Sequence, residues 1–274
     1  MLELSPMKVG IDVFCSDHGR SGIGSYIQSF VKNIDSLKNN PKYSDIEFEL
    51  FGSELDRFTF NNGNTQINYK GITISDTLSA ERGWHNFKLN NFAKKNNMFL
   101  HMDGARISNA AVALGCSFKE ISGDLGVDVL SFGGTKNGLM FGEALIFFNK
   151  ELAKDFAWIR KQNLQLYSKM RFLSAQFIPY IQDNIWYECA KNANDIAQYL
   201  KLELEKIQIP VTKEVLANAV FAILPEEIIP ELQSHFYFYI WDENIHEVRL
   251  VTSFDSTKED VDSLIEKIKE LLGK

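Results

Sequence analysis

The amino-acid sequence predicts an α/β fold in which a mostly parallel sheet is flanked by helices and a small α+β domain closes the chain. Two observations predict it. Short apolar runs of strand length alternate with stretches of helical periodicity through most of the 274 residues, which is the pattern of βαβ units. From about Lys213 onward that alternation gives way to strand, helix, two strands and a last helix, an α+β order. The expected domains are residues 1–97, 98–212 and 213–274.

The elements follow in order. Lys8 to Phe14 reads as a buried strand, Ser16 to Ile23 as a loop and Gly24 to Ile34 as an amphipathic helix, the opening of a doubly wound unit. Ile46 to Gly52 and Gln66 to Ile74 read as strands, and Ser79 to Asn96 as a helix with Trp84, Phe87, Leu89 and Phe92 toward a core. Next come a strand at Met98 to Asp103, a helix at Ile107 to Leu114, and strands at Val127 to Phe132 and Leu139 to Phe147, the last interrupted by Gly142. Three helical stretches follow, at Glu151 to Ser168, Ala175 to Asp183 and Trp186 to Ile207. The tail holds the strand Ala219 to Leu224, the helix Glu226 to His235, the strands Phe236 to Trp241 and Glu247 to Ser253, and the helix Lys258 to Leu272. Short apolar strands joined by βα units tend to be neighbours with right-handed crossovers. The strands at Lys8, Met98 and Val127 are therefore expected in one sheet.

Composition narrows the function. Hydrophobic residues make up 45% and charged residues 24%, ordinary values that exclude a disordered or collagen-like chain. The net charge is −7, which argues against broad capture of nucleic acid. The cysteines are Cys15, Cys116 and Cys189, an odd number without CxxC spacing, so neither a disulfide framework nor a zinc site is expected. The sequence carries no long apolar segment of signal-peptide or membrane-span type, and a cytoplasmic location is the expectation. The charges up to Asn97 balance, 11 basic against 11 acidic, and the net negative charge all lies downstream, a contrast that suggests separate histories for the two parts.

Lys136 lies in Ser131-Phe132-Gly133-Gly134-Thr135-Lys136-Asn137-Gly138, a glycine-rich loop between two apolar strands. Glycines there are expected to let a planar group approach the backbone. A lysine taken out of bulk water is a candidate amine nucleophile and Schiff-base former. Asp103 ends the strand before Gly104-Ala105-Arg106, and strand ends are where open α/β sheets place ligands. A carboxylate there can keep a pyridine nitrogen protonated, so the pair matches what a protein contributes to pyridoxal phosphate chemistry.

From about Ala93 to the end the chain resembles the L-threonine aldolases and related β-eliminating lyases. The stretches that carry this are His101-Met102-Asp103-Gly104-Ala105-Arg106 with Asn109-Ala110-Ala111, Asp128 to Gly138, Lys169-Met170-Arg171-Phe172 with Ser174-Ala175-Gln176, and Val248-Arg249-Leu250-Val251-Thr252. The resemblance implies the aspartate aminotransferase fold, pyridoxal 5'-phosphate as cofactor and an amino acid as substrate. It implies Lys136 as the Schiff-base lysine and Asp103 as partner of the ring nitrogen. Arg106 would lie beside the cofactor's phenolic oxygen, and Arg171 and Arg249 would hold the substrate carboxylate, a task suited to a guanidinium fork. A homo-oligomer is implied where the family's interface is retained.

The family's chain begins with a segment that supplies a phosphate-anchoring loop and a stacking histidine, and residues 1–97 hold no counterpart of it. Residues 7–97 instead resemble the first Rossmann domain of a two-domain glycosyltransferase, through Met7-Lys8-Val9-Gly10-Ile11-Asp12 and Gly22-Ile23-Gly24-Ser25-Tyr26. A glycine loop that opens a helix can receive a sugar-nucleotide phosphate, and can equally be a tight turn. The chain is thus expected to be a fusion joined near Phe92 to Asn97. Three readings stay open: an aldolase-type lyase, a sugar-nucleotide-binding module, and a fusion that catalyses nothing.

Overall fold

The computed structural model of the protein describes residues 8–12, 47–52, 67–71 and 84–273, with single positions between 31 and 41. The glycine loop at Gly22 to Tyr26 lies outside the described residues, as does most of the helix expected from Gly24, of which Val31 and Ile34 are helical and buried. The chain divides into two compact units. Residues Met1–Leu100 and Leu125–Val127 make one, and His101–Asp124 and Asp128–Lys274 make the other.

In the first unit, β1 (Lys8–Asp12), β2 (Glu47–Gly52) and β3 (Ile67–Gly71) form a parallel sheet in sequential order. Helix α1 (Trp84–Lys95) closes where Asn97 turns left-handed at φ 53°, a conformation asparagine tolerates better than most residues. The Met98 amide then reaches back to the Ala93 carbonyl at 2.8 Å, and both side chains are buried with Phe92 and Leu100 packed against them. That apolar clasp after a left-handed residue is a common way to end a helix, and it falls at the expected junction.

The second unit opens with β4 (His101–Gly104), helix α2 (Ile107–Leu114), β5 (Val129–Gly133) and β6 (Glu143–Phe147). β4 and β5 run parallel with Asp103 opposite Ser131, while β6 returns antiparallel on the far side of β5. The expectation that the strands at Lys8, Met98 and Val127 share one sheet is overturned: among the described residues β1 pairs only with β2, and β4 pairs only with β5. An apolar run records burial of a strand and carries no information about which strand lies beside it.

Beyond β6 come the short helices α3 (Phe156–Gln162), α4 (Met170–Ser174) and α5 (Phe177–Gln182), then the long helix α6 (Ile185–Lys206). The single helix expected at Glu151 to Ser168 is broken: Asn149 caps a 3-10 turn at Lys150–Ala153, and Leu164 is left-handed at φ 58° just after α3. On α6 the buried positions Ala190, Ala193, Asn194, Ala197, Leu200 and Leu204 recur at the three- and four-residue spacing of one helix face.

That face packs into the main core with an antiparallel sheet of β7 (Ala219–Ile223), β9 (Glu247–Val251) and β8 (Tyr239–Asp242), and with helices α7 (Ile229–His235) and α8 (Lys258–Leu271). Val220, Ala222, Val248 and Leu250 face this core. Alternation along the strands therefore sends Phe221 and Arg249 to the opposite face. Each fully buried aliphatic side chain contributes about 1.5–3 kcal/mol, so this cluster is a rigid platform for whatever the other face displays.

Candidate active site

The site forms where β4 and β5 end. Because side chains alternate across a strand, His101 and Asp103 on β4 share a face with Ser131 on β5. The opposite face carries Leu130 and Phe132, which with Ala144, Ile146, Phe177 and Ile181 line an open apolar groove of about 360 Å³. Titratable chemistry therefore belongs to the Asp103 face.

Asp103 is exposed, and its Oδ1 accepts the Ala105 amide at 2.9 Å, turning the chain sharply after the strand. Arg106 follows as the residue capping α2. The ends of β4 and β5 come into tight contact: a Cβ added to Gly133 would lie 2.4 Å from the Ala105 carbonyl oxygen. Gly133 abuts Ala105, and a Cβ on Gly134 would strike Leu139 and the Gly142 carbonyl, so both glycines are needed for the close approach of neighbouring chain.

Lys136 sits in a 3-10 turn, Thr135–Asn137, immediately past β5. Its side chain is exposed and makes no ion pair among the described residues, so the expected removal from bulk water is not found in this chain. What distinguishes Lys136 is the fixed turn beneath it. The Thr135 hydroxyl accepts the Gly142 amide at 3.0 Å, the Glu143 carboxylate accepts the Gly134 amide at 3.1 Å, and Gln176 accepts the Met140 amide at 3.0 Å while donating to the Phe141 carbonyl at 3.1 Å. Gly138, at φ 103°, lets the chain leave in a conformation that side chains disfavour.

The C-terminal sheet brings Arg249 to this site. Arg249 stands opposite Phe221 and Tyr239 in register and lies 5.4 Å from the Trp241 ring centre. Its Nε is buried without a hydrogen-bond partner among the described residues. Arg106 has its pKa lowered, first by burial and then by the like charge of Arg249, against the opposing pull of Asp103. Two guanidinium groups thus act on each other beside one carboxylate, an arrangement that favours an anionic ligand. Arg171 is not drawn into this group: it lies exposed on α4, stacked on Phe172 at 4.7 Å.

Two neighbours had no role assigned from the sequence. The His101 Nε2 and Ser131 Oγ are 2.8 Å apart, and protein atoms crowding His101 lower its pKa by desolvation, partly offset by Asp103. The signal was present in the spacing, since two residues along a strand is one face. The second group, Asn137 with Tyr180, is distant in sequence and carried no such signal.

A family profile described as beta-eliminating lyase matches residues 86–227, and the chain belongs to that family. It is 43% identical over 184 residues to the low specificity L-threonine aldolase of Pseudomonas aeruginosa, covering 66% of this chain and 52% of that protein. It is 40% identical over 178 residues to the enzyme of the same name from Pseudomonas sp. strain NCIMB 10558, covering 64% of this chain and 51% of that one. The chain thus spans about half the length of the curated relatives it matches. In fold it is similar to the threonine aldolase of Leishmania major, with a TM-score of 0.69 at 22% identity, covering 98% of this chain and 79% of that one. It is also similar to an aspartate aminotransferase of Thermotoga maritima, with a TM-score of 0.57 at 12% identity, covering 99% and 71%. The α/β fold is therefore that of the aspartate aminotransferases, and the family's cofactor is pyridoxal 5'-phosphate.

The residues present fit that group. Asp103 retains its second carboxylate oxygen, Lys136 an amine free of ion pairs, and Arg249 a buried donor without an acceptor, all among the described residues. An open carboxylate oxygen, an amine and a buried cation are the kinds of group that a protonated pyridine aldehyde with an anionic substrate calls for.

Proposed function

We propose that this chain acts as a pyridoxal phosphate-dependent lyase of the threonine aldolase type, cleaving a β-hydroxy-α-amino acid to glycine and an aldehyde. The observation that carries the reading is the grouping of Asp103 and Arg106 with Arg249, beside the strand end that leads into the Lys136 turn. When bound, the cofactor supplies an electron-accepting ring that takes up the pair left at the substrate's Cα when the bond to Cβ breaks. Asp103 would hold the proton on the ring nitrogen and keep that ring electron-poor, and Lys136 would provide the amine for the cofactor's aldehyde. Arg106 would lie beside the phenolic oxygen. Arg249 would hold the substrate carboxylate and so fix the orientation of the bond to be broken, and Arg171, which stands outside this group in the structure, would join as a second arm only after moving toward it.

Purified protein supplied with pyridoxal phosphate should take up an absorbance band near the visible edge that Lys136→Ala lacks. It should release glycine and acetaldehyde from L-threonine faster than that variant. Equal spectra and equal cleavage in the two proteins would refute the lyase and leave the silent-fusion reading.

A second reading concerns residues 1–97 as a sugar-nucleotide-binding module. The parallel, sequential order of β1, β2 and β3 supports it, being the order of half a doubly wound sheet. The aldolase likeness over 98% of the chain weighs against it. Calorimetry with a panel of nucleotide sugars tests it: heat lost on Gly24→Trp supports the module, and no heat with any of them rejects it.

A further inference from the structure

Behind Lys136 runs a chain of buried polar groups that the proposed chemistry does not use. Asn137 is 1% exposed, and its Nδ2 donates to the Tyr180 hydroxyl at 2.5 Å and to the Trp186 carbonyl at 3.1 Å. A carbonyl can only accept, so the Trp186 contact fixes which way the Asn137 amide faces. The Tyr180 oxygen must then accept from Asn137, and its single proton is free for the Ser108 Oγ at 3.3 Å. Burial pushes the Tyr180 pKa up, so this hydroxyl keeps its proton. Ser108 is the second residue of α2, two positions past Arg106. One hydrogen-bonded chain thus joins the turn that carries Lys136 to the helix that Arg106 begins.

We propose that Asn137, Tyr180 and Ser108 are positioning residues that hold the Lys136 turn and the Arg106 helix at a fixed separation. Its catalytic meaning rests on the lyase reading, although the mechanical coupling can be read without it. Two observations favour positioning over packing. All three side chains are buried, and the Phe132 ring lies edge-on to Tyr180 at 6.4 Å, an environment that apolar side chains would fill without polar atoms to satisfy. In addition, the Asn137 Oδ1 is buried with no donor among the described residues, so asparagine here sacrifices stability. The bonds that Asn137 does make, to the Tyr180 hydroxyl and the Trp186 carbonyl, tie the residue directly after Lys136 to two other elements.

The test uses the full chain and Tyr180→Phe, which keeps the ring and removes the oxygen, with Ser108→Ala as a second, milder variant. Leu204→Ala serves as a control that loosens the distant core. Amide hydrogen exchange is followed over residues 134–139 and 106–110. In parallel, Lys136 is scored by mass spectrometry for a pyridoxyl adduct trapped with borohydride, relative to exposed Lys150. Tyr180→Phe should speed exchange in both segments and lower the Lys136 adduct at least about tenfold, since sub-ångström misplacement of a reacting group is costly. Ser108→Ala should do so in the same direction, and Leu204→Ala should do neither. Unchanged exchange in either segment overturns the proposal, as does faster exchange with an undiminished adduct, or a Leu204→Ala variant that reproduces the losses. If the unaltered protein forms no adduct at Lys136, the lyase reading fails and the exchange data alone decide the coupling.

Discussion

Replacing Gly133 with alanine tests the contact between the ends of β4 and β5, from which Asp103 and the Lys136 turn follow. The added Cβ would meet the Ala105 carbonyl oxygen at 2.4 Å and its carbonyl carbon and Cα at 2.6 Å. Carbon atoms sit comfortably at about 3.5 Å or more, so the strand ends must part by about 1 Å. All three colliding atoms are backbone, and no flexible side chain can swing aside. Overpacking of this kind costs about 1–3 kcal/mol, and the rigid contact places Gly133→Ala at the upper end. Gly115→Ala is the matched control: Gly115 is left-handed at φ 62° with open space around its Cβ position. Its cost is therefore conformational alone, about 1–2 kcal/mol. Urea unfolding followed by tryptophan fluorescence gives both values. Gly133→Ala should be the less stable of the two, and it alone should lower pyridoxyl trapping at Lys136. A Gly133→Ala variant as stable as Gly115→Ala, with trapping intact, would show that the strand ends are not in contact and would remove the basis of the site.

Three further outcomes are expected. Asn194→Ala deletes the buried reciprocal pair in which Asn109 Nδ2 donates to Asn194 Oδ1 at 3.1 Å and Asn194 Nδ2 donates to the Asn109 carbonyl at 3.0 Å; it should cost about 2 kcal/mol in urea unfolding because Asn109 is left buried and unpaired. Thr257→Ala removes the capping box of α8, in which Thr257 accepts the Asp260 amide and Asp260 accepts that of Thr257, and should cost about 1 kcal/mol in thermal melts at neutral pH. The Asp260 pKa is depressed by the bonds its carboxylate accepts from the Thr257 amide and hydroxyl, of which alanine removes the second, so that bond's contribution is present above the ordinary carboxylate range and is lost as pH falls through the folded value; the penalty of Thr257→Ala should shrink in acid. His101 should titrate by NMR below the usual value of about 6.5, and since the folded state resists its protonation, stability should fall as pH drops below that value, a dependence that His101→Gln removes.

How much of this was legible in the sequence depends on the range of the interaction that decides it. The places of Asp103 near the end of a strand and of Lys136 in the turn after the next strand were readable because a strand end and a glycine loop are local features. The helix α6 was readable for the same reason, its buried positions repeating over 22 residues. The Leu139 to Phe147 strand begins only at Glu143 because Thr135 and Gln176 pin the preceding residues as a loop, and nothing within that apolar run reports those partners. The broken helix after Glu151 turned on a capping asparagine and one left-handed leucine. Leucine has no particular tendency toward that conformation, so the break is a tertiary decision. The Asn137–Tyr180–Ser108 chain joins positions 43 and 72 residues apart, a spacing without a sequence signature.

The arginines show why this fold supports chemistry on its strand ends. Setting Arg249 beside Arg106 works against the Arg106 charge, as its lowered pKa records after the larger effect of burial, and one carboxylate at Asp103 offsets the repulsion only in part. A surface arginine would relieve it by swinging into water. Arg249 has less freedom, since it projects from the central strand of a sheet whose other face is sealed into the main core by Val248 and Leu250, and the Phe221 and Trp241 rings stand 6.0 and 5.4 Å from its guanidinium carbon. The repulsion is therefore held in place by hydrophobic packing on the reverse of the same strand, and an incoming anion is the group that can relieve it. Arg171, exposed on a five-residue helix and stacked only on its neighbour, has no comparable support. Of the two arginines that the lyase reading assigns to a substrate carboxylate, Arg249 is thus the one whose position is set by packing, so under that reading orientation would fall chiefly to it.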